Sequence, residues 1–384
     1  MRENLDRDEL VRLVRRVFRP TDRDTGLLIL ADVPDDRVPD NPAWAERRRL
    51  AAGWAAQLDA ARAEIPVPRV TLAWYRNAGG NNADLPETAV TGLAAVPDHV
   101  SALPDDRTTP LADLLASHSI VLAPTELSAT APLKVAARRW PLRAATMPGF
   151  LPAMIPALRL DYTEVNRRVQ RLKEMLDAAD TALLRTVSPR GEHELRLDLR
   201  FRTAHASGGL FPDNGTAGNL PSGEAYIVPY EGERPGEPSR TAGELPVQFP
   251  DGLLVYTIAE NRVLTAAGDE APLMRESRQL AREPGYRNVA ELGLGVLGEL
   301  GVRACGSVLL DEKLGVHVAF GRSDHFGGTV GPDAFSSPAA VVHVDRVYIP
   351  DAQPDVTVAE LTLSGPDGER RLMTDGRWEP DLFA

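Results

Sequence analysis

The sequence contains a single cysteine, Cys305, among 384 residues. No disulfide can form within the chain, and zinc sites built on two or four cysteines are excluded. Lysine is almost absent as well: Lys134, Lys173 and Lys313 are the only three, against 43 basic residues in all. Acidic residues number 55, which gives a net charge of −12. Such a chain lacks the basic footprint that nucleic-acid binding needs, so no nucleic-acid partner is expected. Arginine runs such as Arg47-Arg48-Arg49 read as solvated helix faces. No apolar run approaches the ~18 residues of a membrane span, so no membrane partner is expected. Met1 to Asp6 has no apolar signal core, and the expected compartment is the cytoplasm. HExxH and GxSxG are both missing.

What remains is an ordinary globular composition, 43% hydrophobic and 26% charged. The length suggests two domains at roughly 150 residues each. Leu10, Leu13, Val14 and Val17 follow helical spacing. Gly26 to Val33 is a short apolar run of the kind found in buried parallel strands. Asn41-Pro42 marks a helix start, with the helix running to about Glu64. Strands are expected at Val70–Tyr75, Ile120–Ala123 and Leu142–Met147, with helices at Leu111–Ser117 and Pro132–Trp140. This alternation argues for an α/β domain with a doubly wound parallel sheet over 1–187. The Gly79-Gly80-Asn81-Asn82 loop matches neither GxGxxG nor a P-loop and reads as a turn. Asp161 to Glu164 resembles a capping box opening another helix.

Beyond Ser188-Pro189-Arg190-Gly191 the pattern changes. Leu195, Leu197, Leu199 and Phe201 alternate with charged residues, as in a strand with one dry face. Residues 188–384 therefore read as a strand-rich α+β domain. A hairpin is expected around Glu260-Asn261, a helix over Asn288–Leu300, and strands at Ser307–Leu310, Val316–Phe320 and Ala340–Ile349. Gly321 to Pro338 reads as a long loop, and loops of that length are often functional.

His343 and Asp345 lie two apart on an expected strand, so both project from one face. An imidazole beside a carboxylate suits a divalent metal, and equally a salt-linked pair. His317 is a lone polar residue on the preceding strand. If the two strands are neighbours, His317, His343 and Asp345 converge. Glu224 enters a strand after a turn-rich stretch, and Glu291 sits among Val, Ala, Leu and Gly. Helix-end or turn carboxylates are the alternative readings for these two. Glu312, in Asp311-Glu312-Lys313, reads as an exposed turn residue, and Cys305 as a buried small residue in an apolar strand.

Asn219–Glu224 (NLPSGE), Ala290–Gly295 (AELGLG), His317–Gly321 (HVAFG) and His343–Asp345 (HVD) occur in that order. Together they resemble the thermophilic metallo-aminopeptidase family typified by aminopeptidases T and S. Gly208–Asn219, Ser128–Thr130 and Met147–Gly149 share the likeness, which fades before residue 110. The resemblance implies Glu224, Glu291, His317, His343 and Asp345 as ligands of two divalent ions, zinc, cobalt or manganese. It implies a C-terminal metal-binding catalytic domain, a homodimer, a peptide or small-molecule substrate, and release of N-terminal residues by a metal-bridged hydroxide. Glu224 would share in that catalysis. The family carries a tyrosine in the loop after the HVAFG-like strand; here Gly321 to Gly328 has none, and His325 and Arg322 are the residues in place to act instead. Asp213 or Asp324 would hold the substrate's amino group. The scaffold also resembles 2,5-dihydroxypyridine 5,6-dioxygenase, which implies one Fe(II) held by His317, His343 and Asp345. A third reading is a peptidase-like protein without peptidase activity.

Overall fold

The structure, a computed structural model, describes residues 4–384. The first three residues of the Met1–Asp6 segment lie outside that range. The chain forms two compact units, one of 1–165 with 209–222 and the other of 166–208 with 223–384.

The first unit is built on seven strands: β1 (Leu27–Val33), β2 (Val70–Arg76), β3 (Thr88–Thr91), β4 (Thr108–Pro110), β5 (Ile120–Ala123), β6 (Arg143–Thr146) and β10 (Ala217–Asn219). Their order is β10-β6-β5-β1-β2-β3-β4. Pairing is parallel from β10 through β2, and β3 and β4 add an antiparallel edge. Every residue of β1 is buried, as expected for a central parallel strand. Its helices are α1 (Arg7–Phe18), α2 (Pro42–Ala60), α3 (Leu111–Ser117), α4 (Thr130–Arg139) and the single turn α5 (Ile155–Leu158). Asp6 and Glu9 form a capping box at α1, and the Asn41 side chain accepts the Trp44 N–H at α2. Leu28, Leu30 and Val121 of the sheet pack with Leu114 of α3 and Leu133 of α4.

Arg47 and Arg48 are not on a solvated face. Both are buried: Arg47 Nε donates to the Phe150 carbonyl at 2.7 Å and its guanidinium meets Glu126, while Arg48 forks onto Asp40. Their charges are carried inward because each finds a fixed acceptor.

The helix α6 (Tyr162–Asp177) passes from the first unit into the second. The second unit holds β7 (Thr181–Ser188), β8 (Gly191–Asp198), β9 (His205–Ser207), β11 (Glu224–Ile227), β12 (Ala242–Phe249), β13 (Gly252–Ala259), β14 (Arg262–Gly268), β15 (Val289–Gly295), β16 (Val316–Gly321), β17 (His343–Tyr348), β18 (Thr357–Gly365), β19 (Gly368–Thr374) and β20 (Arg377–Trp378). They make an eight-stranded sheet, β14-β13-β12-β8-β7-β18-β19-β20, and a five-stranded sheet, β17-β16-β15-β11-β9. Both are antiparallel throughout. Two further helices are α7 (Glu270–Arg282) and the single turn α8 (Val308–Asp311). The chain is thus a mixed α/β protein with a strand-rich second half.

Several expectations are corrected. Ser188 to Gly191 is the turn of the β7–β8 hairpin inside the second unit, and the division falls at Val165/Asn166. The change of sequence pattern marks a hairpin, not a boundary. Asn288–Leu300 is not a helix: it contains β15, buried on both faces, which leaves no period-2 alternation to read. Ser307–Leu310 is not a strand: Ser307 is the N-cap of α8 and Val308 to Leu310 lie in its single turn. Cys305 lies half-buried in the irregular segment before it, its N–H donating to Asp311. The Glu260-Asn261 hairpin is present, both residues at positive φ as a two-residue turn requires. Asn261 Nδ2 then donates to the Val289 carbonyl at 2.8 Å, tying that turn to the start of β15. Among the described residues no helix is long and apolar enough to cross a membrane.

Candidate metal centre

The five-stranded sheet gathers the expected ligands by register alone. Directly paired residues share a face. Glu224 pairs with Gly295, Glu291 with Ala319, Gly293 with His317, Ala319 with Asp345, and Gly321 with His343. All five candidate ligands therefore project from one face of four adjacent strands. On one side of each ligand the residue opposite is Gly or Ala, which leaves room for the longer side chain; on the other side Glu224 meets Ser207 and His317 meets Val347.

Two glycines of the β15 stretch are required by contact. A Cβ on Gly293 would lie 1.9 Å from His317 Nε2, so the imidazole rests on that glycine. A Cβ on Gly295 would lie 2.3 Å from the Lys313 carbonyl carbon, so the backbone before β16 passes against β15 there.

The ligand atoms form two groups, Glu224 with Glu291 and His317, and Glu291 with His343 and Asp345, each within 4.8 Å. Glu291 belongs to both, with one oxygen in each: Oε1 lies 3.3 Å from His317 Nε2, and Oε2 lies 3.3 Å from His343 Nε2. His343 Nε2 is 3.4 Å from Asp345 Oδ1, and His317 Nε2 is 3.7 Å from Glu224 Oε2. Ligands about 2.0–2.1 Å from a tetrahedral ion stand roughly 3.3 Å apart, close to these separations. Glu224 Oε2 is buried without a hydrogen-bond partner, which a cation would satisfy. His343 Nδ1 lies 2.7 Å from the Arg322 carbonyl, so Nδ1–H donates there and Nε2 is left as the ligand atom. The donor set fits divalent metal. The triad His317, His343 and Asp345 does not form a group by itself among the described residues; Glu291 stands between its members.

The charges are strongly coupled. Burial would raise Glu291, but its hydrogen bonds with His317 and His343 outweigh that and hold it far below the carboxylate range. Burial would lower His317, but Glu291, Glu224 and Asp345 raise it to about 9. His343 is likewise raised against burial by Asp345 and Glu291. A cation at either Nε2 would need that imidazole neutral, so metal binding would be coupled to proton release.

The sequence reading missed Lys313 and misplaced Glu312. Lys313 is fully buried, with Nζ 3.2 Å from Glu224 Oε1 and in contact with Glu312. Glu312 is not an exposed turn residue: it is mostly buried, and burial together with the charges of Glu224 and Asp345 raises it to about 8 despite Lys313. Burial would lower Lys313, yet Glu224 and Glu312 hold it above the usual lysine range. A lysine kept between apolar segments, in a chain that otherwise uses arginine, is the signal that could have drawn notice.

The loop after β16 is pinned by Glu231, which the sequence also did not single out. Its carboxylate is buried and accepts from Ser323, Thr329, Asn288 Nδ2 at 2.8 Å and Arg202 Nη2 at 3.3 Å. The loop carries both catalytic candidates. Arg322 spends its guanidinium on Asp324, and its carbonyl is what reaches His343. His325 is partly exposed, its ring centroid 5.5 Å from that of His343. Burial and the His343 and Arg322 charges push it down to about 4, so it is neutral near pH 7. Phe326 packs edge-on against Tyr226 and His343, and Tyr226 stacks on His205. Asp324 is engaged by Arg322, and Asp213 is exposed in the first unit; neither joins the two ligand groups. A cavity of about 470 Å³ opens beside Asp345, lined also by Asp311, Arg346, Gln248 and Val308.

No family model matches the sequence, and no curated protein matches it. Among solved structures the fold is similar to 2,5-dihydroxypyridine dioxygenase from Pseudomonas putida, with TM-score 0.61 and 13% identity over 99% of this chain and 100% of that one. It is also similar to wild-type AmpT (aminopeptidase T) from Thermus thermophilus, with TM-score 0.52 and 14% identity over 97% of this chain and 99% of that one. At such identities the likeness is one of fold.

Proposed function

We propose that the chain is a metal-dependent aminopeptidase that removes N-terminal residues from peptides at a site for two divalent ions, zinc, cobalt or manganese. The observation that carries this is Glu291, whose two oxygens face different histidines in two ligand groups. A carboxylate so placed would hold two ions, one oxygen to each, and this favours a pair of ions over one. Two bound ions would polarise the scissile carbonyl and make a nearby water acidic. Glu224, Glu291 and Asp345 supply three negative charges to hold them. Glu224 presents Oε2 and gives Oε1 to Lys313, so it has no oxygen left over for proton transfer. That work falls to His325, neutral and partly exposed in the loop that has no tyrosine. Arg322 serves through its carbonyl, which fixes the His343 ring. The cavity beside Asp345 is within the usual size of a small-ligand site, and of the five candidate ligands Asp345 alone lines it.

A second reading is a ring-cleaving dioxygenase with one Fe(II). The aromatic wall of Phe326, Tyr226 and His205 beside His343 favours it, since flat rings stack well on such surfaces. Metal analysis of the full chain purified without chelator, with peptide turnover and oxygen uptake measured in parallel, separates the readings. Two ions per chain and release of N-terminal residues support the peptidase. One iron, with oxygen uptake on a hydroxylated aromatic, establishes the second reading. A folded chain without metal affinity leaves a peptidase-like protein without the activity. A homodimer is part of the proposal, and sedimentation at the chain mass alone would remove it.

A further inference from the structure

Among the described residues Lys313 is the one lysine or arginine within ion-pair distance of a candidate ligand carboxylate, and its place is built into the backbone. The Leu297 N–H donates to the Lys313 carbonyl at 2.8 Å, and the Gly295 N–H to the Gly315 carbonyl at 2.9 Å. Gly295 has no side chain to obstruct that approach. Lys313 Nζ is thereby delivered to Glu224 Oε1 at 3.2 Å and to Glu312. Lys313 is fully buried, so it cannot meet substrate from solvent. Among the described residues its ion pairs are with Glu224 and Glu312, and none is with Glu291 or Asp345.

The two ligand groups are therefore electrically different. The group of Glu291, His343 and Asp345 has two carboxylates that, among the described residues, pair with histidines and with no lysine or arginine. The group of Glu224, Glu291 and His317 has one of its two carboxylates already paired. A fixed ammonium repels a divalent ion and competes for the electrons of the same carboxylate. We propose that Lys313 is a positioning residue that makes the two ion sites unequal, so that the ion at Glu291, His343 and Asp345 is held tightly and the ion at Glu224, Glu291 and His317 is exchangeable. Glu312 tempers the effect by sharing the ammonium. This rests on the two-ion reading above.

The test is titration of the chelator-stripped full chain with Zn²⁺ alone, in competition with a chromogenic chelator. The wild-type chain takes up two ions in resolved steps. Lys313→Met tightens the weaker step at least tenfold and changes the tighter step less than threefold. Lys313→Gln, which removes the charge but keeps a polar side chain beside Glu224 and Glu312, tightens the weaker step likewise. Two wild-type steps of equal affinity, or a Lys313→Met chain with an unchanged or wider gap, overturn this inference and leave the two-ion reading standing. If Lys313→Met does not fold, an unchanged weaker step in Lys313→Gln overturns it. A wild-type chain that takes up no ion overturns both.

Discussion

Gly293→Ala is the substitution whose effect follows most directly from the geometry. The added Cβ would sit 1.9 Å from His317 Nε2 and 2.1 Å from Cε1. Ordinary carbon contacts are about 3.5 Å, so the ring must move by more than about 1 Å. His317 is 1% exposed and faces Glu291, so it has little room to move. Overpacking of this kind costs about 1–3 kcal/mol. In a His317→Ala background the obstruction is gone. There the same change is neutral, or stabilising by up to about 1 kcal/mol, because alanine has less backbone freedom to lose than glycine. A double-mutant cycle by denaturant unfolding of the metal-free chain therefore shows a coupling of about 1–4 kcal/mol between the two positions. Equal destabilisation by Gly293→Ala in both backgrounds would refute the claim that this glycine exists to seat the imidazole.

Glu231→Ala releases Ser323 and Thr329 and leaves the buried Arg202 with a single remaining carboxylate, Glu233. Amide hydrogen exchange over 322–330 accelerates at least tenfold in that variant, while exchange in β15 is unchanged. His325→Ala lowers peptide turnover at least tenfold with the metal content intact; full turnover removes His325 from the reaction. In the first unit, burial would raise Asp24, but its hydrogen bonds with Arg143 and Ser119 outweigh this and hold it below the usual aspartate value. A lowered carboxylate stabilises the fold above its unfolded value near 4 and loses that contribution as pH falls through the native value. Asp24→Ala leaves the guanidinium of Arg143, only 4% exposed, without its carboxylate and costs about 3 kcal/mol or more at pH 7. The gap between this variant and the wild type narrows below about pH 4, and a gap independent of pH contradicts the assignment.

The first unit was largely legible because its strands are short apolar runs set between capped helices. Asn41-Pro42 and the buried run of β1 each state a local preference that the fold keeps. The His343–Asp345 pair was legible for the same reason, since a period of two fixes a shared face. β15 was not. A strand buried on both faces has no alternation, and its glycines, chosen for contacts with β16 and Lys313, resemble the end of a helix. The roles of Lys313 and Glu231 were not legible, for a different reason. What they do depends on partners 89 and 92 positions away in the chain, Glu224 and Ser323 respectively. Arg47 and Arg48 show the reverse error, since a charge run takes its burial from acceptors supplied elsewhere.

Anomalous diffraction from crystals of the full chain soaked in Zn²⁺ or Co²⁺ addresses the central claim most directly. The account predicts two peaks, one against Glu291 Oε1 with His317 and Glu224, and one against Glu291 Oε2 with His343 and Asp345. A single peak coordinated by His317, His343 and Asp345, with Glu291 turned away, would contradict it.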